Sequence, residues 1–536
     1  MNKKNIIYFI AMSLISVITL PDCSLKEDIK DELTPSVIQS DTGLLKNVVA
    51  APLGQLRNLW WRQDFWGFQE TTTDECMFPT RGTDWFDAGV WVADNTLQWS
   101  PAIHRDVIDT WNVLNTAISS ANTALANIGK EKLNELPSYT RYRSQVIFLR
   151  SFYEYALLDL YRTYPTRDPF NYDFLKAPAI YKGKAAFDRL VTNLAVIVPK
   201  MVERKDALYG EPNKDAGLML QAKLYLNKEV YTGVAGYDSC LIYVNQIINS
   251  GNYSLSTNYF NMFVPDNDKN YRQPGDEAIF VAVYNDDQNY GVDDHYQWVR
   301  QTFHYNQTIG SKFGNWNGCC ATQSYLMNTW IAGTDTGTDV RWKDNSIKAA
   351  MGVNLGFNYG QQYDPKSKKA LTDRSGRPLI FTFDCPLSGA AESQGVRVLK
   401  YPPKAAPISP ARFANDYLIW RYADALLMKA ECLVRVNSDV AGALAIVNQI
   451  RTQRKAPVVT ASSTTEMLNK IYIERGLELF WEGHRRQDMI RFNTFLLAKP
   501  EWSTTTNADP KALILPIPLS AISGTPGGVL VQNPGY

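Results

Sequence analysis

The residues of this chain with the clearest chemical purpose are its tryptophans, because of where they fall. Of the 14, Trp60, Trp61, Trp66, Trp85, Trp91, Trp99 and Trp111 lie in one stretch, and Trp298, Trp316, Trp330 and Trp342 in a second. Only Trp420, Trp481 and Trp502 lie elsewhere. An indole face accepts the C–H-rich side of a sugar ring. Arg, Asp and Asn side chains beside it can then fix the hydroxyls, often two at a time. The run Arg81-Gly-Thr-Asp84-Trp85-Phe-Asp87-Ala-Gly-Val-Trp91 puts a guanidinium, two carboxylates and two indoles into one glycine-punctuated loop. Candidate ligand-binding residues are therefore Arg81, Asp84, Trp85, Asp87 and Trp91, with Trp298, Asn315, Trp316, Cys319 and Cys320 from the second stretch. The competing reading is core packing, preferred for Trp60, Trp61, Trp99 and Trp111, which adjoin helical segments.

Other chemistries are thinly represented. Cys319 and Cys320 are adjacent; in an exported chain they can form a vicinal disulfide, a rigid apolar knob beside Trp316, or remain two buried or separately paired thiols. No CxxC pair occurs, and His104, His295, His304 and His484 show no i, i+4 spacing, so zinc is not indicated. Asp266, Asp268, Asn270 and Glu277 match calcium-loop positions 1, 3, 5 and 12. Tyr271 stands where that loop needs glycine, and calcium is the one cofactor to weigh; none is otherwise implied. Glu478 and Glu482 could act as acid and nucleophile on a glycoside, but their helix also carries Leu479 and Trp481, which marks it as packed structure. Lys and Arg total 55 against 54 Asp and Glu. This balance excludes the basic surface a nucleic acid requires and suits a neutral ligand.

The elements that must position these residues are mainly helical. Val146, Leu149, Phe152, Tyr153, Ala156, Leu157 and Leu160 recur at helical spacing between Tyr142 and Tyr161. Further helices are expected near Ala186–Val198, Ala216–Lys228 and Ser239–Asn249. From about Asn415, Leu418, Ile419, Tyr422, Ala423, Leu426, Leu427, Ala430 and Leu433 form a wide apolar stripe. Asp439 can cap the next helix, which Pro457 closes, and Ser463 with Glu466 reads as a capping box for another running to Trp481. Asp424 to Pro457 has the length of one tetratricopeptide (TPR) unit, so antiparallel pairs in a TPR-like helical solenoid are expected. Between the helical regions, residues 251–412 are rich in Asn, Gly, Asp, Tyr and Pro, with short strands expected at Ala278–Val283 and Leu379–Phe383.

Several segments resemble the SusD/RagB family of nutrient-uptake outer-membrane lipoproteins. They are Thr72-Thr-Asp-Glu75, Arg150-Ser-Phe-Tyr-Glu-Tyr-Ala-Leu-Leu-Asp-Leu-Tyr161, and Leu418 through Glu431. Leu444 to Arg451, Glu474 through Asp488, Leu515-Pro-Ile-Pro518 and Gln532-Asn-Pro-Gly-Tyr536 complete the set, in family order. The resemblance implies about four TPR-like helix pairs with a loop-rich, mixed capping lobe. It implies no catalysis and a SusC-like TonB-dependent transporter as partner, while the family's binding loops vary and leave an oligosaccharide ligand to be argued from the residues themselves. Peptide capture of the RagB kind is the alternative within the same architecture, and a glycosidase a more distant one. The tryptophan clustering favours sugar, since peptide capture relies more on backbone hydrogen bonds.

The first residues read as an export signal. Lys3 and Lys4 precede an apolar run from Ile6 to Leu20, and Cys23 follows at once. Leu20 suits the −3 position of a lipobox, although Asp22 occupies −1, where a small residue is usual. The expected organisation is a signal peptide over 1–22 and a lipid-anchored tether over 23–36 that holds the protein on the outer-membrane surface. A helical region follows over 37–250, with an aromatic binding loop at about 60–101. The capping lobe spans 251–412, and a C-terminal helical region 413–536.

Overall fold

The computed structural model describes residues 38, 41–60, 63–129, 137–171, 173, 175–284, 301–307, 315–404, 414–499 and 506–536. Cys23, Trp61, Trp298 and Trp502 lie outside these residues, as do the signal and tether segments.

Helices α1 (Thr42–Gly54), α2 (Phe65–Glu70), α3 (Val90–Thr96), α4 (Arg105–Ile128) and α5 (Pro137–Tyr161) open the fold. A two-stranded antiparallel ribbon of β1 (Thr163–Thr166) and β2 (Ala179–Lys182) leads to α6 (Gly183–Ile197), α7 (Lys214–Leu226) and α8 (Tyr237–Asn249). The expected helical segments are thus present, each within a few residues. On α5, Val146, Leu149, Phe152, Tyr153, Ala156, Leu157 and Leu160 are all buried, as their spacing requires.

Strand β3 (Ala278–Ala282) begins the middle lobe, which contains the short strands β4 (Lys343–Asp344), β5 (Leu355–Asn358), β6 (Gly360–Gln361), β7 (Ile380–Phe381) and β8 (Arg397–Leu399). β4, β5 and β8 form one antiparallel sheet and β6 with β7 another. The lobe closes on β9 (Tyr417–Arg421), which pairs antiparallel with β3. Here the helical expectation fails: Leu418 and Ile419 are strand residues. Every residue of β9 is buried, and a strand buried on both faces reads as an unbroken apolar run that periodicity cannot separate from helix.

The chain ends in α9 (Tyr422–Asn437), α10 (Val440–Gln453), α11 (Thr464–Leu479) and α12 (Arg485–Arg491). Asp439 caps α10 through Gly442 N–H, and Ser463 caps α11 through Glu466 N–H. The second half of that capping box is displaced by one residue, because the Glu466 carboxylate reaches Ser462 N–H at 2.8 Å. Neighbouring helices pack on one another, α4 on α5, α7 on α8 and α9 on α10, while α8 against α9 joins the two helical regions. The architecture is mainly α, with a loop-rich lobe between helical parts. No helix among the described residues is long and apolar enough to cross a membrane.

The charged motifs hold this frame. The acidic and basic residues from Glu474 to Asp488 pair, but mostly across elements rather than along one helix surface. Glu478 accepts from Arg341 (2.8 Å), Arg421 (2.7 Å) and Arg454 (2.8 Å), and all four side chains are fully buried. Glu482 binds Lys400 (2.6 Å) and Arg421 (2.7 Å), and Glu474 binds Arg341 and Arg451, both at 2.6 Å. Arg475 binds Asp488 at 2.7 Å, and Arg485 grips Asp74 with two bonds of 2.7 Å. At the C-terminus, Gln532 exchanges two bonds of 2.7 Å with Ile517, and Asn533 donates to Tyr161 and Leu515 carbonyls. The terminal motif is thereby a strut onto the end of α5.

Candidate functional site: an aromatic face on the capping lobe

The loop from Arg81 to Gly89 has an unusual backbone. Trp85, Asp87, Ala88 and Gly89 all have positive φ (63, 40, 55 and 83°). Left-handed non-glycine residues cost free energy and persist only where their surroundings hold them. The holding contacts are visible. The Trp85 indole N–H donates to the Trp316 carbonyl at 2.8 Å. Its ring lies 5.2 Å from Phe78, 5.9 Å from Trp91 and 6.5 Å from Trp316, centroid to centroid. Gly318 lies directly under it: a Cβ there would stand 2.5 Å from the indole. Trp85 and Trp316 are both half-buried, and Phe86 between the loop's charged residues is 59% exposed. Two indoles from segments more than 200 residues apart in sequence thus meet.

The polar edge of this face is an ion-pair network. Asp84 accepts from the Tyr305 hydroxyl and from Arg374, each at 2.7 Å. Arg374 also pairs with Glu392 and stacks 4.1 Å over the Tyr305 ring. His304 reaches Glu392 at 2.9 Å. The Tyr305 hydrogen bond, with Arg374 adding to it, holds the Asp84 carboxyl below its ordinary value. Burial pushes His304 down, against the opposing pull of Glu392. The edge therefore presents a fixed carboxylate and a fixed guanidinium, groups suited to pairs of hydroxyls.

The structure separates the expected site residues into two sets. Asp84, Trp85 and Trp316 form this face, and Asp87 is exposed two residues beyond Trp85, held by the Trp91 N–H. Arg81 does not: it is 4% exposed and donates to the Ala391 and Gln394 carbonyls, bracing the lobe from behind. Trp91 is fully buried, stacked on Phe78 at 4.4 Å, and its N–H anchors Asp87 at 2.6 Å. Asn315 is buried and donates to the His304 and Gln307 carbonyls. Cys319 and Cys320 are buried and not bonded to each other. They form no vicinal bond, because Met77 pairs antiparallel with Cys320 and successive side chains of extended backbone point to opposite sides. Trp298 lies outside the described residues.

Two other readings meet the structure differently. The calcium spacing does not converge: Glu277 is buried and bound to Arg421 (3.1 Å) and Arg454 (2.7 Å), while Asp266 pairs with Lys269 and Lys404. Among the described residues no group of three or more His, Cys, Asp or Glu is arranged to hold a metal. Glu478 and Glu482 are buried beneath arginines and reach no solvent. Two clefts of about 630 and 520 Å³ lie elsewhere. The first runs beside Gln98 and Asn507, the second between Trp111, Asn115 and Ser520, and neither contains an expected site residue.

Sequence reasoning missed Tyr305, Arg374 and Glu392. Arg374 is 290 residues from Asp84 in a stretch with no periodicity, so no spacing rule reaches it. Phe86 was legible as part of the aromatic loop, but its exposure was not.

Comparison with known proteins finds relatives of this chain and of its fold. The SusD family model matches residues 276–536. The starch-binding protein SusD of Bacteroides thetaiotaomicron is 26% identical over 506 residues, covering 88% of this chain and 86% of that protein. SusD-like protein P25 of Formosa agariphila is 23% identical over 482 residues, 80% of each. Among solved structures, a SusD superfamily protein from Parabacteroides distasonis superposes with a TM-score of 0.70 at 18% identity, over 94% of this chain and all of that one. Surface glycan-binding protein A from Bacteroides thetaiotaomicron, solved with laminarihexaose, does so with 0.64 at 19% identity, over 91% and 98%. The fold is thus similar to these structures along nearly the whole length, and residues 276–536 of the chain match the SusD family.

Proposed function

We propose that this protein captures oligosaccharide at the cell surface on the Trp85–Trp316 face and hands it to a SusC-like TonB-dependent transporter. The observation that carries this reading is the pairing of two half-buried indoles, one bonded to the other's backbone, beside the fixed Asp84–Arg374 edge. Flat rings held in place lose little entropy when a sugar stacks on them, and fixed polar groups then set its orientation. The relatives support the ligand class: one is named a starch-binding protein, and a structural neighbour was solved with laminarihexaose. In this reading the chain binds rather than cleaves its ligand; the carboxylates nearest to a catalytic spacing, Glu478 and Glu482, are consumed by structural ion pairs.

An acyl chain on Cys23 is the proposed anchor, holding the protein on the outer membrane without a spanning helix. Mass spectrometry of membrane-extracted protein tests it; an unmodified Cys23 would refute it. For the ligand, a glycan array followed by calorimetric titration of the best binder is decisive. Binding of an oligosaccharide that Trp316→Ala weakens at least tenfold supports the reading. Binding of peptides with no response to any glycan would replace it with peptide capture.

A further inference from the structure

Behind the aromatic face lies a small apolar cluster of its own: Met77, Cys320, Cys385, Leu387 and Ala390. The Cys320 and Cys385 sulfurs are 3.7 Å apart, on segments 65 residues apart in sequence. Both segments are braced on residues 77–80. Met77 and Cys320 exchange two backbone bonds of 3.0 Å, and Thr80 N–H donates to the Leu387 carbonyl at 3.0 Å. Gly395 leaves the space the sulfurs occupy: a Cβ there would stand 2.5 Å from the Cys320 sulfur and 3.3 Å from that of Cys385. Two guanidiniums face the pair. Arg81 stands 4.0 Å from the Cys385 sulfur, and Arg397 is fully buried beside both.

We propose that Cys320 and Cys385 are a disulfide site, joined in the exported protein and fastening the support of the Trp85–Trp316 face. Burial pushes the Cys320 thiol up. The hydrogen bond with Cys385 and the charges of Arg397 and Arg81 outweigh it, bringing Cys320 to about 6. Cys76, which meets Cys319, and Cys432, which meets Cys240, are instead pushed well up by burial and by their partner thiols. Compared with Cys76 and Cys432, Cys320 is the thiol whose reactive thiolate is favoured. Its thiolate attacks the disulfide of an oxidant, a protein or glutathione disulfide of the oxidising compartment, and expels one thiolate. The Cys385 thiolate then attacks the Cys320 sulfur of the mixed disulfide and expels the second. Two protons leave the cysteines, and two electrons reduce the oxidant to two thiols. Both sulfurs are buried in the folded chain, so the oxidant must reach Cys320 after Cys385, Arg81 and Arg397 have met it and before the lobe closes over them.

The test uses the mature full-length chain folded in oxidised glutathione, alkylated with iodoacetamide and digested without reductant. The expected result is a peptide joining Cys320 to Cys385. Dithiothreitol should then lower the melting temperature by on the order of a few degrees, and Cys385→Ser should abolish that response. Full alkylation of both cysteines, or a Cys319–Cys320 link, would overturn the proposal. The linked peptide is read on the wild-type chain, so a variant that fails to fold leaves the test intact. Thiol state is independent of any glycan, so the result stands apart from the proposed ligand.

Discussion

Two ion networks in this molecule use the same residue types to opposite ends. Around Glu478, three arginines and further carboxylates are fully buried and spend their donors on one another. Around Asp84, one arginine and two carboxylates stand at the surface, with Arg374 49% exposed. The first has no capacity left for a ligand; removal of one member strands charge in a medium that cannot solvate it. The second can exchange a water or a partner for a hydroxyl at little cost. The tryptophans repeat the contrast. Trp66 packs edge-on against Trp481, both buried, whereas Trp85 and Trp316 keep part of each ring at the surface. What separates scaffold from site is therefore not residue identity but whether the group's bonding capacity is already used.

The sharpest way to break this comparison is Glu478→Ala. It leaves three buried guanidiniums without a shared acceptor and should cost about 3–5 kcal/mol or prevent folding; denaturant unfolding measures it. A loss below about 1 kcal/mol would mean that the cluster is not the frame.

Trp85→Ala should be felt twice. The ring packs on Phe78, Trp91 and Gly318, so stability should fall by about 2 kcal/mol, roughly half the loss for a fully buried aromatic. Trp316→Ala should instead weaken glycan binding by about tenfold to a hundredfold, or roughly 1–3 kcal/mol, with a smaller change in melting temperature. Equal effects of both variants on stability, with affinity unchanged, would return the pair to the core.

Glu75 sharpens the buried side through pH. Burial lifts its carboxyl from 4.5 to about 7, next to Glu70, which is also raised. The folded chain therefore holds a proton that the unfolded chain releases. This contribution is full below about pH 4.5 and drains as pH rises towards 7. Glu75→Gln should flatten that decline by up to about 1.4 kcal/mol per pH unit. Melting curves from pH 5 to 8 read it, and identical slopes in both proteins would remove Glu75 from the account. Smallest of all, Arg374→Ala should cost only about 0.2–1 kcal/mol in stability, while loosening Asp84 and reducing glycan affinity by a few-fold in titration.

How much of this was readable in the chain follows from the same contrast. The helices were legible because a stripe such as Val146, Leu149, Phe152 and Tyr153 is enforced by one-sided burial. β9 was not, since both of its faces are covered and no period survives. In the loop, Trp85 and Asp84 were visible by type. Arg81 has the same type of side chain as Arg374, but one braces carbonyls and the other edges the surface. Only three-dimensional pairing across the lobe distinguishes them, and sequence distance conceals it.

The pairing of β3 with β9 has one more implication. The lobe leaves the frame at Ala282 and returns at Tyr417, on adjacent strands. Its entry and exit are thus pinned to one doorway, whatever lies between. Lengthening such an excursion costs little, about 0.6 kcal/mol for each doubling. Arg341 and Lys400 are its buried pegs into the helices. With the doorway and those pegs kept, the outer loops are free to be lengthened, trimmed or exchanged. A segment cut at 282 and 417 carries Trp316 and Arg374 but not Trp85 and Asp84, so grafting one specificity onto another frame requires the 81–89 loop to travel with it.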